Sequence, residues 1–225
     1  MMTLHGFAAS NYYNLVKHAL LYKELPFKEN LIYPSSEALL AVSPAGKVPV
    51  LTTLDGLNIS ESSVICDFIE ETYPEIALYP ANASERAIVR QIMKMAELYF
   101  ELPSRRLIPY AFTGTEAPES VKAEVRQVLA RGITGLNRLC QFSPWVAGEQ
   151  FTMADIYLYY VNTIVSAFGS SQLNWDVLAE VAGMKPWNDS MSQSAIAQKV
   201  EADRQANMPE FMQKVTAQIQ AANAV

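Results

Sequence analysis

Every strand-like segment in this chain precedes Ser60, and from Ser84 onward only helices are readable, with no convincing strand. That asymmetry limits the fold more than any other feature. "MTLHGF" alternates apolar and polar residues as a first strand does, and "NYYNLVKHALLYKEL" follows with Leu15, Ala19 and Tyr22 on one helical face, ended by Pro26. "PFKENLI" is a second strand, "SSEALLAV" a short Ser-capped helix stopped by "SPAG", and "VPVLTTL" and "LNI" are strands joined by the turn "DG". "SESSVICDFIEETYP" is a helix with Ser60 at its N-cap and Val64, Ile65, Phe68 and Ile69 as its apolar stripe. The order β-α-β-α-β-β-α predicts an α/β domain over residues 1–79. "PEIALYPANASE" is a Pro-broken link, and residues 85–225 read as an all-α domain. Within it "TMADIYLYYVNTIVSAF" is apolar nearly all round, as a central buried helix is, and "TMAD" has capping-box spacing between Thr152 and Asp155. "SAIAQKVEADRQ" and "PEFMQKVTAQIQAANA" finish the chain.

Composition supports two domains and narrows the function. Half of the 225 residues are hydrophobic, enough for a sizeable core. The net charge is −6, and it is uneven: residues 1–80 carry four Lys, no Arg and nine acids. An acidic chain of this kind does not suit phosphate backbones, so no nucleic-acid partner is expected. No apolar run is long enough to span a bilayer, and the N-terminus lacks the pattern of a signal peptide. Cys66 and Cys140, both in apolar helical contexts, read as buried reduced thiols. A cytoplasmic protein is the resulting expectation. His5 reads as a strand residue and His18 as a helix-surface residue, neither with metal-like partners, so no metal is expected.

Pro49 is the anomaly. It sits inside the strand "VPVLTTL", where it has no N–H to give to a ladder. Three segments in order place it in context. "SPAGKVPVL" resembles the N-P-x-G-x-V-P-x-L segment of glutathione transferases. "ISESSVICDFIEETYP" resembles their E-S-x-A-I-x-x-Y-L segment, and "GEQFTMADI" their G-x-x-x-[ST]-x-A-D segment. Together these span almost the whole chain, which is similar to a cytosolic glutathione transferase of the serine subset: a thioredoxin-like N-terminal domain followed by a helical one.

The resemblance implies a cis Pro49, which would turn the backbone groups of Val48 outward to pair with glutathione as an added strand. It implies that Glu61 and Ser62 receive the γ-glutamyl end, where the first turn of a helix attracts a carboxylate and Glu61 accepts from the ammonium. Lys47 is the nearest base for the glycine carboxylate, and is equally readable as a solvated surface residue. No Cys opens the first helix and Phe7 has no hydroxyl, so the resemblance gives thiol activation to Ser10, which is also readable as a plain N-cap. Asn11 and Tyr12 are the alternatives. The electrophile side, expected between the domains, draws on Tyr12, Tyr99, Phe100, Tyr110 and Phe112, with Arg105 and Arg106 facing an anionic leaving group; such a cluster also reads as core packing.

The function implied is a homodimeric detoxification enzyme with glutathione as co-substrate and a hydrophobic electrophile. Two other functions stay open: a glutathione-dependent disulfide reductase or peroxidase on the same scaffold, and a non-catalytic interaction module.

Overall fold

The computed structural model describes residues 1–34 and 36–223; Ser35, read above as part of the short helix, lies outside them. The chain separates into two compact units, Met1–Leu78 with Ser194–Thr216, and Tyr79–Gln193 with the end of the chain from Ala217.

The first unit is the expected thioredoxin-like arrangement. Strands β1 (Met2–Gly6) and β2 (Phe27–Leu31) run parallel, with helix α1 (Asn11–Tyr22) as the crossover. After α2 (Glu37–Leu40), strands β3 (Val50–Thr52) and β4 (Asn58–Ser60) pair antiparallel, giving the order β2-β1-β3-β4. The hairpin between them closes through Thr53 N–H on the Leu57 carbonyl, with Gly56 at φ +90°. Helix α3 (Ser62–Thr72) packs on α1. Leu4, Leu15, Leu51, Ile65 and Ile69 are fully buried, the alternation of the strands and the stripes of the helices meeting in one core. Lys23 holds the end of this unit, its Nζ 2.7 Å from Glu70 Oε2 and 2.6 Å from the Ile76 carbonyl.

Two local expectations are corrected here. Ser60 does not cap α3: it is the last residue of β4, paired with Val50, and Glu61 takes the cap position at φ +68°. The chain turns from strand into helix within one residue, which a left-handed conformation accomplishes and an extended cap does not. His18 is not on the surface: it is 2% exposed, because both faces of α1 are covered.

In the second unit, α4 (Ala83–Ala96) runs into a π-helical turn (Glu97–Glu101), α5 (Leu102–Arg105) and α6 (Ile108–Thr113). The long α7 (Glu119–Leu139), the buried α8 (Met153–Phe168) and α9 (Met184–Ser192) follow. Asp155 closes the capping box of α8 and does more. Its Oδ2 accepts from Thr152 N–H at 2.9 Å, while Oδ1 accepts from Val146 N–H at 2.8 Å and from the Trp187 indole at 3.1 Å. Gly132 lets α7 pack tightly, since a Cβ there would lie 2.5 Å from the Phe100 ring.

The two terminal helical segments are one helix, α10 (Ala195–Asn223), that continues through Pro209. Proline breaks one internal hydrogen bond, a cost of about 3 kcal/mol in an isolated helix. Contacts on either side of it, at Asp203 and Asn207 before and at Phe211 and Lys214 after, hold α10 to the first unit.

Candidate functional site

Strand register decides which residues can meet. His5 of β1 pairs with Val50, and Val50 pairs with Ser60. The segments that leave the sheet beyond these pairs, Phe7–Ser10, Lys47–Pro49 and Glu61–Ser62, therefore emerge at one end of it. The Val48–Pro49 peptide is cis, and the ladder of β3 begins only at Val50. Among the described residues Val48 has no backbone hydrogen-bond partner, so its N–H and carbonyl remain for an added strand. The loop before it is clipped by buried Ser43, whose Oγ donates to the Lys47 carbonyl at 2.8 Å and accepts from Lys47 N–H at 3.0 Å. The Lys47 side chain is exposed.

Beside Val48, α3 starts without a side-chain cap. A helix in that state presents unsatisfied N–H groups and the positive end of its dipole, which suits a carboxylate. Ser62 is buried as the first helical residue and Glu61 is exposed. A non-glycine residue at positive φ costs of order 1 kcal/mol or more and is tolerated where the surroundings demand it. At Glu61 it turns the chain so that an acid stands at the rim of an anion-attracting helix end.

Ser10 caps α1. Its Oγ accepts from Tyr13 N–H at a long 3.4 Å, and its proton stays available to a further acceptor. Asn11 next to it is buried and Tyr12 half-buried. The backbone leading to Ser10 is tied down at each residue. Ser10 N–H donates to the Phe7 carbonyl at 3.0 Å, Asn14 Nδ2 to the Ala8 carbonyl at 2.8 Å, and Ala9 N–H to Asn207 Oδ1 at 3.0 Å. The Phe7 ring stacks on Tyr33 at 4.9 Å and on Phe211 at 5.3 Å.

Behind this loop lies an ionic network that the sequence reading missed. The Lys17 ammonium is buried, 2.6 Å from Glu29 Oε2 and 2.8 Å from Asp203 Oδ2, and the Tyr13 hydroxyl donates to the same Glu29 oxygen at 2.6 Å. Burial and Glu29 push the Tyr13 phenol far above its ordinary pKa, so it stays neutral. These groups border a cavity of about 380 Å³ whose wall includes Gly6 and Ala206. Gly6 has φ +153°, and a Cβ there would fall 2.4 Å from the Tyr13 ring. The available signal was a lysine in the middle of an apolar helix, together with Asp203, Asn207, Phe211 and Lys214 at helical spacing.

The second unit holds the remaining expected residues. Tyr99 is half-buried on the π-helical turn, and Tyr110 and Phe112 are half-buried on α6, with Phe112 edge-on to Phe168 at 6.1 Å. Phe100 is fully buried core and is corrected on that ground. Arg105 and Arg106 are engaged by carboxylates, Arg105 with Glu101 and Arg106 with Glu124, each at 2.6 Å. Cys66 is buried and Cys140 half-buried. Burial raises both thiols, Cys140 to about 12, so neither is a thiolate near neutral pH. Among the described residues no cluster of His, Cys, Asp and Glu is able to hold a metal ion, and no helix is long and apolar enough to cross a membrane.

Comparison with known proteins finds relatives of both the sequence and the fold. Residues 4–77 match the family model "Glutathione S-transferase, N-terminal domain". The chain is 42% identical over 216 residues to a glutathione S-transferase of Pseudomonas putida, covering 96% of this chain and 98% of that one. It is 25% identical over 191 residues to a maleylacetoacetate isomerase of Pseudomonas aeruginosa, covering 81% and 90%. A solved glutathione transferase homologue from Sulfitobacter with bound glutathione has the same fold, at a TM-score of 0.73 and 20% identity, covering 90% and 97% of the two chains. With a near full-length relative at that identity, and the Val48–Pro49 and Glu61–Ser62 segments meeting at one end of a thioredoxin-like sheet, the chain belongs to the glutathione S-transferase family and is an enzyme of this class.

Proposed function

We propose that the chain binds glutathione through Val48, Glu61 and Ser62 and activates its thiol with Ser10 for attack on a hydrophobic electrophile. The observation that carries this reading is the uncapped start of α3, with Ser62 at its first position, next to a Val48 whose backbone groups are unpaired. The γ-glutamyl carboxylate takes the helix end, Glu61 takes the ammonium, and the cysteinyl backbone pairs with Val48. The exposed Lys47 is the candidate for the glycine carboxylate.

The chemistry then turns on the thiol. At a pKa of about 8.5 only ~3% of it is thiolate at pH 7. A hydrogen bond to a charged acceptor is worth about 1.5–3 kcal/mol, which lowers the pKa by roughly one to two. Ser10 Oγ has a proton to donate for this, whereas the Tyr13 hydroxyl is spent on Glu29. The thiol proton passes to solvent, the thiolate forms the new C–S bond, and the leaving group departs with the electron pair. Tyr12, Tyr99, Tyr110 and Phe112 are the side chains proposed to contact the electrophile. The P. aeruginosa relative supports a second reading, glutathione-dependent isomerisation, in which the same thiolate adds reversibly across an activated double bond and no group leaves.

Calorimetric titration with millimolar glutathione tests the binding; absence of heat refutes it. Turnover of a chlorinated nitrobenzene, of a mixed disulfide and of a cis-enedione separates transferase, reductase and isomerase. The protein is further proposed to be a homodimer, supported by the exposed Val64, Ile88, Leu98 and Leu102. Light scattering at micromolar concentration is expected to give twice the 25.0 kDa of one chain, and a single-chain mass refutes it.

A further inference from the structure

We propose that Asn207 on α10 is a positioning residue for Ser10, holding the loop that presents the hydroxyl to the glutathione thiol. The inference rests on the Ser10 reading above and adds a residue to it that no motif marks.

The Asn207 amide is used at both ends. Ala9 N–H has only a proton to give, so the oxygen of Asn207 faces it, at 3.0 Å. The nitrogen then faces the Tyr33 hydroxyl at 2.7 Å and donates to it. Turning the amide over would set N–H against N–H, so its orientation is fixed. Tyr33 is itself held by its stack on Phe7 and by Lys214, whose Nζ lies 4.6 Å from the ring centre. The helix is registered one turn earlier by Asp203 on buried Lys17 and one turn later by Phe211 on Phe7. Asp203, Asn207, Phe211 and Lys214 recur at intervals of four, four and three, a single stripe on α10 that meets Lys17, Ala9, Phe7 and Tyr33 in turn.

Ser10 needs such support. Its own cap bond to Tyr13 N–H is long at 3.4 Å and fixes the hydroxyl weakly. A donor acting on a thiolate has to be placed to within roughly 0.5 Å. The Asn207 contact falls on the residue immediately before Ser10, so it limits the swing of that peptide. Without it the Ala9 N–H turns to water and the loop gains freedom at the point where the hydroxyl projects.

The test is the thiolate absorbance of the glutathione complex as a function of pH in the parent, Asn207→Ala, Ser10→Ala and the double variant. Asn207→Ala is expected to raise the pKa of the bound thiol by about 0.5–1, giving a roughly 1.5- to eightfold lower rate at pH 7, with KM for glutathione within about twofold of the parent. In the Ser10→Ala background it is expected to change nothing further, because the two act as one unit. Tyr33→Phe, which keeps the stack and removes the hydroxyl that meets both Asn207 Nδ2 and Glu210, is expected to shift the curve less and in the same direction. If Ser10→Ala moves the curve and Asn207→Ala does not, or moves it equally in both backgrounds, the positioning role is overturned while the Ser10 reading stands. If Ser10→Ala itself leaves the curve unmoved, the Ser10 reading fails and this inference with it. Lost stability with an unmoved curve marks Asn207 as structural only.

Discussion

The Lys17 ammonium lies 2.8 Å from the Asp203 carboxylate, joining the first helix of the chain to the last across 186 residues of sequence. The two partners are unequal. The Lys17 side chain is 2% exposed, whereas Asp203 and the second partner Glu29 are 37% and 45% exposed. Removing the cation leaves carboxylates that can hydrate in place. Removing both acids leaves a buried charge with no counterion, a change that costs about 3–5 kcal/mol. The expected order of destabilisation is therefore the Glu29→Gln, Asp203→Asn pair first, either single acid variant next at about 1–2 kcal/mol, and Lys17→Met least. Urea midpoints measure it, and a Lys17→Met variant less stable than the double acid variant contradicts it.

His18 makes a pH prediction. Burial holds its imidazole down at about 4, well below its ordinary 6.5. The unfolded chain then binds a proton between pH 6.5 and 4 that the folded chain refuses, so the stability from this group is complete above pH 6.5 and lost as pH falls through that window. The loss by pH 5 is about 2 kcal/mol. Asp155 works in the opposite sense: burial pushes it up to about 6, so the folded state gains a proton there as pH falls. A comparison of parent with His18→Leu isolates the histidine. The parent is expected to lose more stability than the variant between pH 7 and pH 5; equal losses contradict the account.

The fold and its glutathione-transferase motifs were legible because their signals are local. Strand alternation, helical stripes, the Thr152–Asp155 spacing and the "KVPV" and "SESS" segments all lie within a few residues of sequence. What was illegible came from tertiary contacts. His18 reads as polar surface on α1 until the surrounding elements cover it. Ser60 has the right chemistry for a cap, but pairing with Val50 keeps it in the sheet. Asp203 and Asn207 belong to a terminal helix with polar residues on every side, and only contact with Lys17 and Ala9 distinguishes them from solvated positions.

Asp155 is expected to be among the most sensitive positions in the second unit. Asn at that position keeps the shape but turns one oxygen into a donor, which must then face either Thr152 N–H or the pair formed by Val146 N–H and the Trp187 indole. Leaving buried donors unpaired in this way costs about 2–4 kcal/mol. Thermal unfolding of Asp155→Asn measures it, and a midpoint within a degree or so of the parent contradicts it.

Ser10 is proposed to lower the pKa of the bound glutathione thiol, and the thiolate absorbance of the complex against pH reads that pKa. The parent complex is expected to titrate below the free thiol's value of about 8.5, and Ser10→Ala is expected to raise the midpoint by about one to two, with glutathione still bound through Val48, Glu61 and Ser62. Coincident titration curves for parent and variant, accompanied only by the ~1 kcal/mol loss of a helix cap, would contradict the account and turn attention to Asn11 and Tyr12.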